Sequence, residues 1–227
     1  GTSNKGIDDF LAEIKPDWRV QVAKQFHFQP RNSAIKSVIE SGILGEIKQV
    51  QLSCCHDYHA ASLIRFFLGT GDEVPETSSF TLPDAVNRYN SREGLLNEPE
   101  IVTSEEKFVL LRFKDKTAVY DFSFEQYFSD IRRSRILIRG TNGEIFNNEC
   151  TYLKDGLPHS FTLRRNSYGA NESLDGFTLV NITAEGKVIY ENPFKGARIS
   201  DEEIAIATCL LNMKEYLDTG TPFYSLR

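Results

Sequence analysis

His56 and His59, with Asp57 between them and the adjacent thiols Cys54 and Cys55 just before, are the side chains whose types and spacing could do chemistry. An imidazole titrates near neutral pH and can accept a proton from a substrate hydroxyl, so acid-base work is one reading. Residues three apart are neighbours on a helix, and both rings would share a face if a helix began at His56. A metal site is not expected. The spacing is not a zinc pattern, and His27 and His159 are isolated, so no second cluster completes one. The plainer alternative is a pair of histidines that cap a helix or are satisfied in the core, and spacing alone favours it. His27, in Gln25-Phe26-His27-Phe28, stands by alternation opposite two phenylalanines and could line a cleft or sit on a solvated strand face.

The flanking pattern says what should position these groups. Gly42 can close a helix and Gly45 opens a turn before a period-2 stretch from Ile47 to Ser53, the expected strand. Leu63, Ile64, Phe67 and Leu68 then recur at helical spacing, which puts His59 in the first turn of a buried helix. Upstream, Ile7, Phe10, Leu11 and Ile14 predict an amphipathic helix ended by Pro16. Trp18 to Phe28 reads as a strand halted at Pro30, and about Arg31 to Ser41 as a helix with Ala34, Ile35, Val38 and Ile39 inward.

Downstream, period-2 runs between turn signals through residues 76 to 191 predict several antiparallel strands in one large sheet. Phe108 to Phe113 and Ala118 to Phe124 suit a hairpin, as do Ile136 to Ile138 and Glu144 to Phe146. Asp155-Gly156 and Glu185-Gly186 supply further turns. Pro83 to Pro99 is polar and weakly periodic, a candidate flap or insertion. Ser200 and Glu203 form a capping box before a helix striped by Ile206, Leu210, Met213 and Leu217, with Gly220 beyond its end.

Composition narrows the partners. A formal charge of −6 and a pI near 5.3 oppose a mainly electrostatic nucleic-acid binder, although Arg132, Arg133 and Arg135 cluster, marking a strand edge or an anion contact. No apolar run reaches a membrane span and no signal pattern opens the chain, so a soluble protein without a membrane partner is expected. The four cysteines imply no disulfide scaffold, and reduced thiols in the cytoplasm are the simpler reading. There is no G-x-G-x-x-G; Arg139-Gly140-Thr141-Asn142-Gly143 lacks a P-loop ending, and Glu13-Ile14-Lys15-Pro16 is a decoy for a Glu-Lys-Pro motif.

Taken together, VQVAKQFHFQP, SGILGEIKQVQLS, HDYHAASLIRFFLG and RILIRGTNGEI resemble the Gfo/Idh/MocA family, the glucose-fructose oxidoreductase and inositol dehydrogenase type. The resemblance implies an α+β domain with a large open, predominantly antiparallel sheet and helices packed on one face. The N-terminal Rossmann domain, with its Gly-rich loop and Glu-Lys-Pro lysine, is expected upstream and absent here. Residues 1 to 30 would be the remnant of its last helix and strand, and 31 to 227 the C-terminal substrate and oligomerisation domain. Residue by residue, His59 matches the family's catalytic histidine and His27 falls where the family often places a polar residue of the substrate cleft; His56 and Asp57 are further substrate-binding candidates, out of register with the family's carboxylate. The family commonly has an acidic residue four positions before that histidine, where this sequence has Cys55. The implied activity is hydride transfer between a sugar or polyol and NAD or NADP, by a homo-oligomer formed through the sheet. The chain alone should bind neither nucleotide and be inactive. The competing expectation is a non-catalytic dimerisation or ligand-sensing domain of the same fold.

Overall fold

A computed structural model describes residues 4–169 and 178–224 of the 227. The elements are α1 (Asn4–Glu13), a 3-10 turn (Gln25–Phe28), α2 (Pro30–Glu40), β1 (Ile47–Ser53), α3 (Asp57–Leu68), β2 (Glu76–Ser91), β3 (Gly94–Arg112) and β4 (Thr117–Ser123). A second 3-10 turn (Phe124–Tyr127) leads to β5 (Arg135–Gly140), β6 (Gly143–Phe146), β7 (Glu149–Lys154), β8 (Leu157–Thr162), β9 (Arg164–Tyr168), β10 (Thr178–Ala184), β11 (Lys187–Glu191) and α4 (Asp201–Thr219).

An eight-stranded sheet runs β2-β3-β4-β1-β5-β6-β7-β8. All its pairings are antiparallel except β1 with β4. The register assigns every side chain to a face. Val109, Leu111, Ala118, Tyr120, Phe122, Val50, Leu52, Ile136, Ile138, Ile145 and Cys150 lie on one side, in the core. Ala34, Ile35 and Val38 of α2 and Leu63, Ile64 and Phe67 of α3 join that core. Each large apolar side chain withdrawn there contributes about 1.5 to 3 kcal/mol. Phe80, Leu82, Phe108, Leu110, Val119, Leu137 and Phe146 fall on the other face, where Phe80, Leu82, Leu110 and Phe146 are exposed.

Two turns show why these elements meet where they do. Gly69 ends α3 in the left-handed conformation (φ 67°), its N–H returning to the Arg65 carbonyl. Gly140 lies against the backbone of Leu44, whose carbonyl oxygen would clash with any Cβ placed there. The Asp155-Gly156 and Glu185-Gly186 turns both have positive φ, as hairpin turns between right-twisted strands require.

Four expectations need correction. Residues 18 to 28 form no strand: the segment is irregular until Gln25, and His27 sits in a 3-10 turn. The amide of His27 bonds the Lys24 carbonyl, and the Asn32 side chain bonds the Phe26 carbonyl, so local turns satisfy a backbone that lacks a strand partner. Residues 83 to 99 are no loop but the outer part of the β2–β3 hairpin. Pro83 is tolerated because β2 is an edge strand, where a missing N–H breaks no ladder on the free side. The strands also do not share one sheet, since β9, β10 and β11 form a separate three-stranded one packed on α2. Finally, α4 has its capping box but buries Ile204, Ala205 and Cys209, while Ile206, Leu210 and Leu217 face outward.

Candidate functional site

The first turn of α3 is built where β1 ends. His56 is the residue before the helix, and its carbonyl accepts from the amides of His59 and Ala60. Its own N–H donates to the Tyr127 hydroxyl at 3.0 Å, and that hydroxyl lies 3.0 Å from Nδ1. The Tyr127 hydroxyl thus holds both the backbone and the ring of His56. Burial pushes the Tyr127 phenol up to about 12, so it stays protonated for this task.

Asp57 follows in an unusual conformation. Its φ of 33° is one that an L residue adopts only when its surroundings insist. Its N–H donates to the Tyr120 hydroxyl at 3.0 Å, and its carboxylate oxygens accept from Lys107 Nζ at 2.9 and 3.0 Å. The Asp57 and Lys107 side chains are 53% and 50% exposed, so their pairing contributes at most about 1 kcal/mol to stability. It holds two opposite charges at the mouth of a cavity instead. That cavity, about 420 Å³, is lined by His56, Asp57, Ser104, Glu105, Lys107, Tyr120, Phe122 and Phe124. Polar groups of both signs beside aromatic rings, in a space of this size, suit a small polyhydroxylated molecule.

His59 is half-buried on the same turn. Its ring centroid lies 4.1 Å from those of Phe26 and Tyr58 and 5.0 Å from that of His56. Burial, and then repulsion from His56, lower its pKa below the ordinary imidazole value, which favours the proton-accepting form. No side-chain hydrogen bond engages it among the described residues.

His27 lies apart. It is buried, stacked on Phe66 with centroids 4.2 Å apart, and bonded to the Tyr224 hydroxyl, the Ser62 hydroxyl and the Ser62 carbonyl. Desolvation lowers its pKa to about 4. It lines a different cavity, about 610 Å³, with Lys24, Tyr58, Ser62, Arg65, Phe66 and Asp72. The structure therefore brings His56, Asp57 and His59 together and separates His27 from Asp57. Cys55 is fully buried beneath the turn, its thiol raised by Cys54 and by burial, and it cannot stand in for a carboxylate.

Sequence reasoning did not single out Lys107, Tyr120 and Tyr127 for the site. A signal existed for Lys107. In Lys107-Phe108-Val109-Leu110-Leu111 it shares the inward face with Val109 and Leu111, a charge where the alternation asks for an apolar residue. Tyr127 belongs to a turn whose position only the fold decides.

No protein-family model matches the sequence, and no curated protein is detectably similar to it. Solved structures do match. An oxidoreductase from Agrobacterium radiobacter in complex with NAD+, L-tartaric acid and magnesium superposes with a TM-score of 0.52 at 16% identity, over 91% of this chain and 57% of that one. Levoglucosan dehydrogenase with NADH and levoglucosan gives 0.54 at 14% identity, over 91% and 59%. The chain shares the fold of these oxidoreductases. It spans 57 to 59% of their length.

In a Rossmann domain a dinucleotide sits on a glycine-rich turn from strand to helix, and the turn from Gly140 to Gly143 is not of that kind. The Gly140 to Gly143 turn joins two strands of a hairpin, and a Cβ at either glycine would strike neighbouring backbone, so the space is already filled by protein. Three or more potential metal ligands do not gather anywhere among the described residues, and no helix there is long and apolar enough to cross a membrane.

Proposed function

We propose that this chain is the substrate-binding and oligomerisation part of an NAD(P)-dependent oxidoreductase of the Gfo/Idh/MocA type acting on a sugar or polyol. The observation that carries the reading is the first turn of α3, where a half-buried His59 with a lowered pKa packs, ring centroids 5.0 Å apart, against His56, which lines the cavity of Asp57 and Lys107. His59 accepts the proton of the reacting hydroxyl. Asp57 and Lys107 bind further hydroxyls, and Tyr127 fixes the His56 ring. The nucleotide, and with it the redox chemistry, belongs to residues outside those described, so this chain alone is inactive.

Support comes from the fold shared with dehydrogenases crystallised with NADH and levoglucosan, and from the sequence match at His59. The open sheet face is covered in this reading by a second copy of the chain, because Phe80, Leu82, Leu110 and Phe146 are exposed along it. A second reading, a ligand-sensing or dimerisation domain without catalysis, is favoured by the buried Cys55 at the position of the usual carboxylate.

The test uses protein in which a Rossmann domain precedes these residues. His59→Ala should lower kcat by about 10²- to 10⁴-fold. Unchanged turnover would remove His59 from the catalytic role, and absence of NAD(H) and NADP(H) binding by the folded longer protein in calorimetry would select the non-catalytic reading.

A further inference from the structure

We propose that Cys54 and Cys55 form a redox-modification site, in which a small-molecule disulfide of the glutathione class oxidises the two thiols to a vicinal disulfide at the entrance to α3. The proposal goes beyond the reading above and does not depend on it. Its first support is geometric: the two sulfurs lie 3.8 Å apart, within hydrogen-bonding reach of each other. Their access differs in the way a reacting and a resolving thiol require. Cys54 is partly exposed and Cys55 is buried.

A cation lies in the neighbourhood of the exposed partner. The Arg31 guanidinium is held by Asn147 and Asn148 at 3.0 and 2.9 Å and lies close enough to Cys54 to interact with it electrostatically. Burial and the neighbouring sulfur keep Cys55 protonated until Cys54 has reacted.

The chemistry balances in two exchanges. The Cys54 thiolate attacks one sulfur of the disulfide RSSR, forms a mixed disulfide and expels RS⁻. Cys55 then loses its proton and attacks the Cys54 sulfur; the intramolecular bond forms and a second RS⁻ leaves. The two leaving thiolates take up the two protons that the cysteines released, so the cysteine pair is oxidised and RSSR is reduced to two RSH.

The resulting bond would be strained. Neighbouring Cα atoms are about 3.8 Å apart across a trans peptide, closer than the roughly 4.4 to 6.8 Å of ordinary disulfides. Strain makes such a bond easily reduced, the character of a reversible modification rather than a structural crosslink. Its position gives it a consequence. The next residue, His56, bonds Tyr127 through its N–H, and Asp57 already sits at φ 33°. Drawing Cys55 toward Cys54 pulls directly on that turn.

The experiment equilibrates the 227-residue chain in glutathione buffers from fully reduced to fully oxidised, quenches with acid, alkylates free thiols under denaturing conditions and weighs the tryptic peptide Gln49 to Arg65. The expected result is loss of both alkylation sites with a mass lower by two hydrogens, reversed by dithiothreitol, while the separate buried Cys150 and Cys209 stay alkylatable. Cys55→Ala should stop at glutathione on Cys54, and Cys54→Ser should leave Cys55 unmodified. Amide exchange over residues 56 to 60 should quicken in the oxidised form. The proposal is overturned if the wild-type peptide keeps both thiols, if it retains glutathione without ring closure, or if Cys54 crosslinks two chains on non-reducing electrophoresis. Unaltered exchange in a fully oxidised sample would overturn the coupling to α3.

Discussion

At the scale of single residues, three histidines within or beside one helix are given different work by their surroundings. His59 keeps a half-buried ring, without a side-chain hydrogen bond among the described residues, whose pKa is lowered. If it is the base, kcat/KM of the longer enzyme should fall on the acid side with an apparent pKa below 6.5, because protonation removes the acceptor. An acid limb above that value would point to another group. His27 is instead a structural residue with a pH signature. Its pKa drops from 6.5 in the unfolded chain to about 4 in the fold, so below 6.5 the unfolded state binds more protons. Its contribution is complete above pH 6.5 and is lost as pH falls toward 4, an effect on the order of 2 kcal/mol. Urea midpoints at pH 7 and pH 4.5 should differ more for the wild type than for His27→Gln. The imidazole pair was visible as residue types in the sequence, but the separation of His27 from Asp57 was not, because it depends on a 3-10 turn stacking His27 on Phe66, 39 positions further along the chain.

At the scale of elements, caps and close approaches decide more than propensity. The α4 capping box is complete: Ser200 accepts from the Glu203 amide, and the Glu203 carboxylate accepts from the Ser200 amide. Ser200→Ala should cost about 1 kcal/mol and lower Tm by a few degrees. Gly140→Ala should cost more, about 2 kcal/mol or above, since the new Cβ meets backbone and not a movable side chain. Calorimetric melts of both variants check this order, and equal losses would contradict it. The long hairpin of β2 and β3 hid in the sequence behind Pro83, Pro99 and a polar pattern. Its outer strands have solvent on at least one side, and there no apolar periodicity is demanded. Ion pairs hold it instead, Arg88 to Glu100 and Glu125, and Arg132 to Asp84.

At the scale of the whole molecule, one face of the large sheet carries the helices and the other carries exposed aromatic and aliphatic side chains. Phe80 is 59% and Leu110 49% exposed there, in adjacent strands. If a second copy covers this face, sedimentation should show a dimer or larger assembly, and Leu110→Glu should shift it toward monomer with little change in Tm of the isolated chain. A monomeric wild type at micromolar concentration would remove the proposed oligomer.

What the sequence determined by itself is local and periodic. The alternation of Ala118, Tyr120 and Phe122, the helical spacing of Leu63, Ile64 and Phe67, and the glycines that end α3 and α4 each encode an element through contacts a few residues long. The placement of His59 in the first turn of a helix followed from the same rule. The tertiary structure decided which face of α4 is buried, that β9 to β11 leave the large sheet, and that Lys107 meets Asp57 across 50 positions. Those outcomes rest on long-range register and on competition between alternative packings of similar apolar surface. A periodic pattern can state that a face exists, but not which partner will cover it.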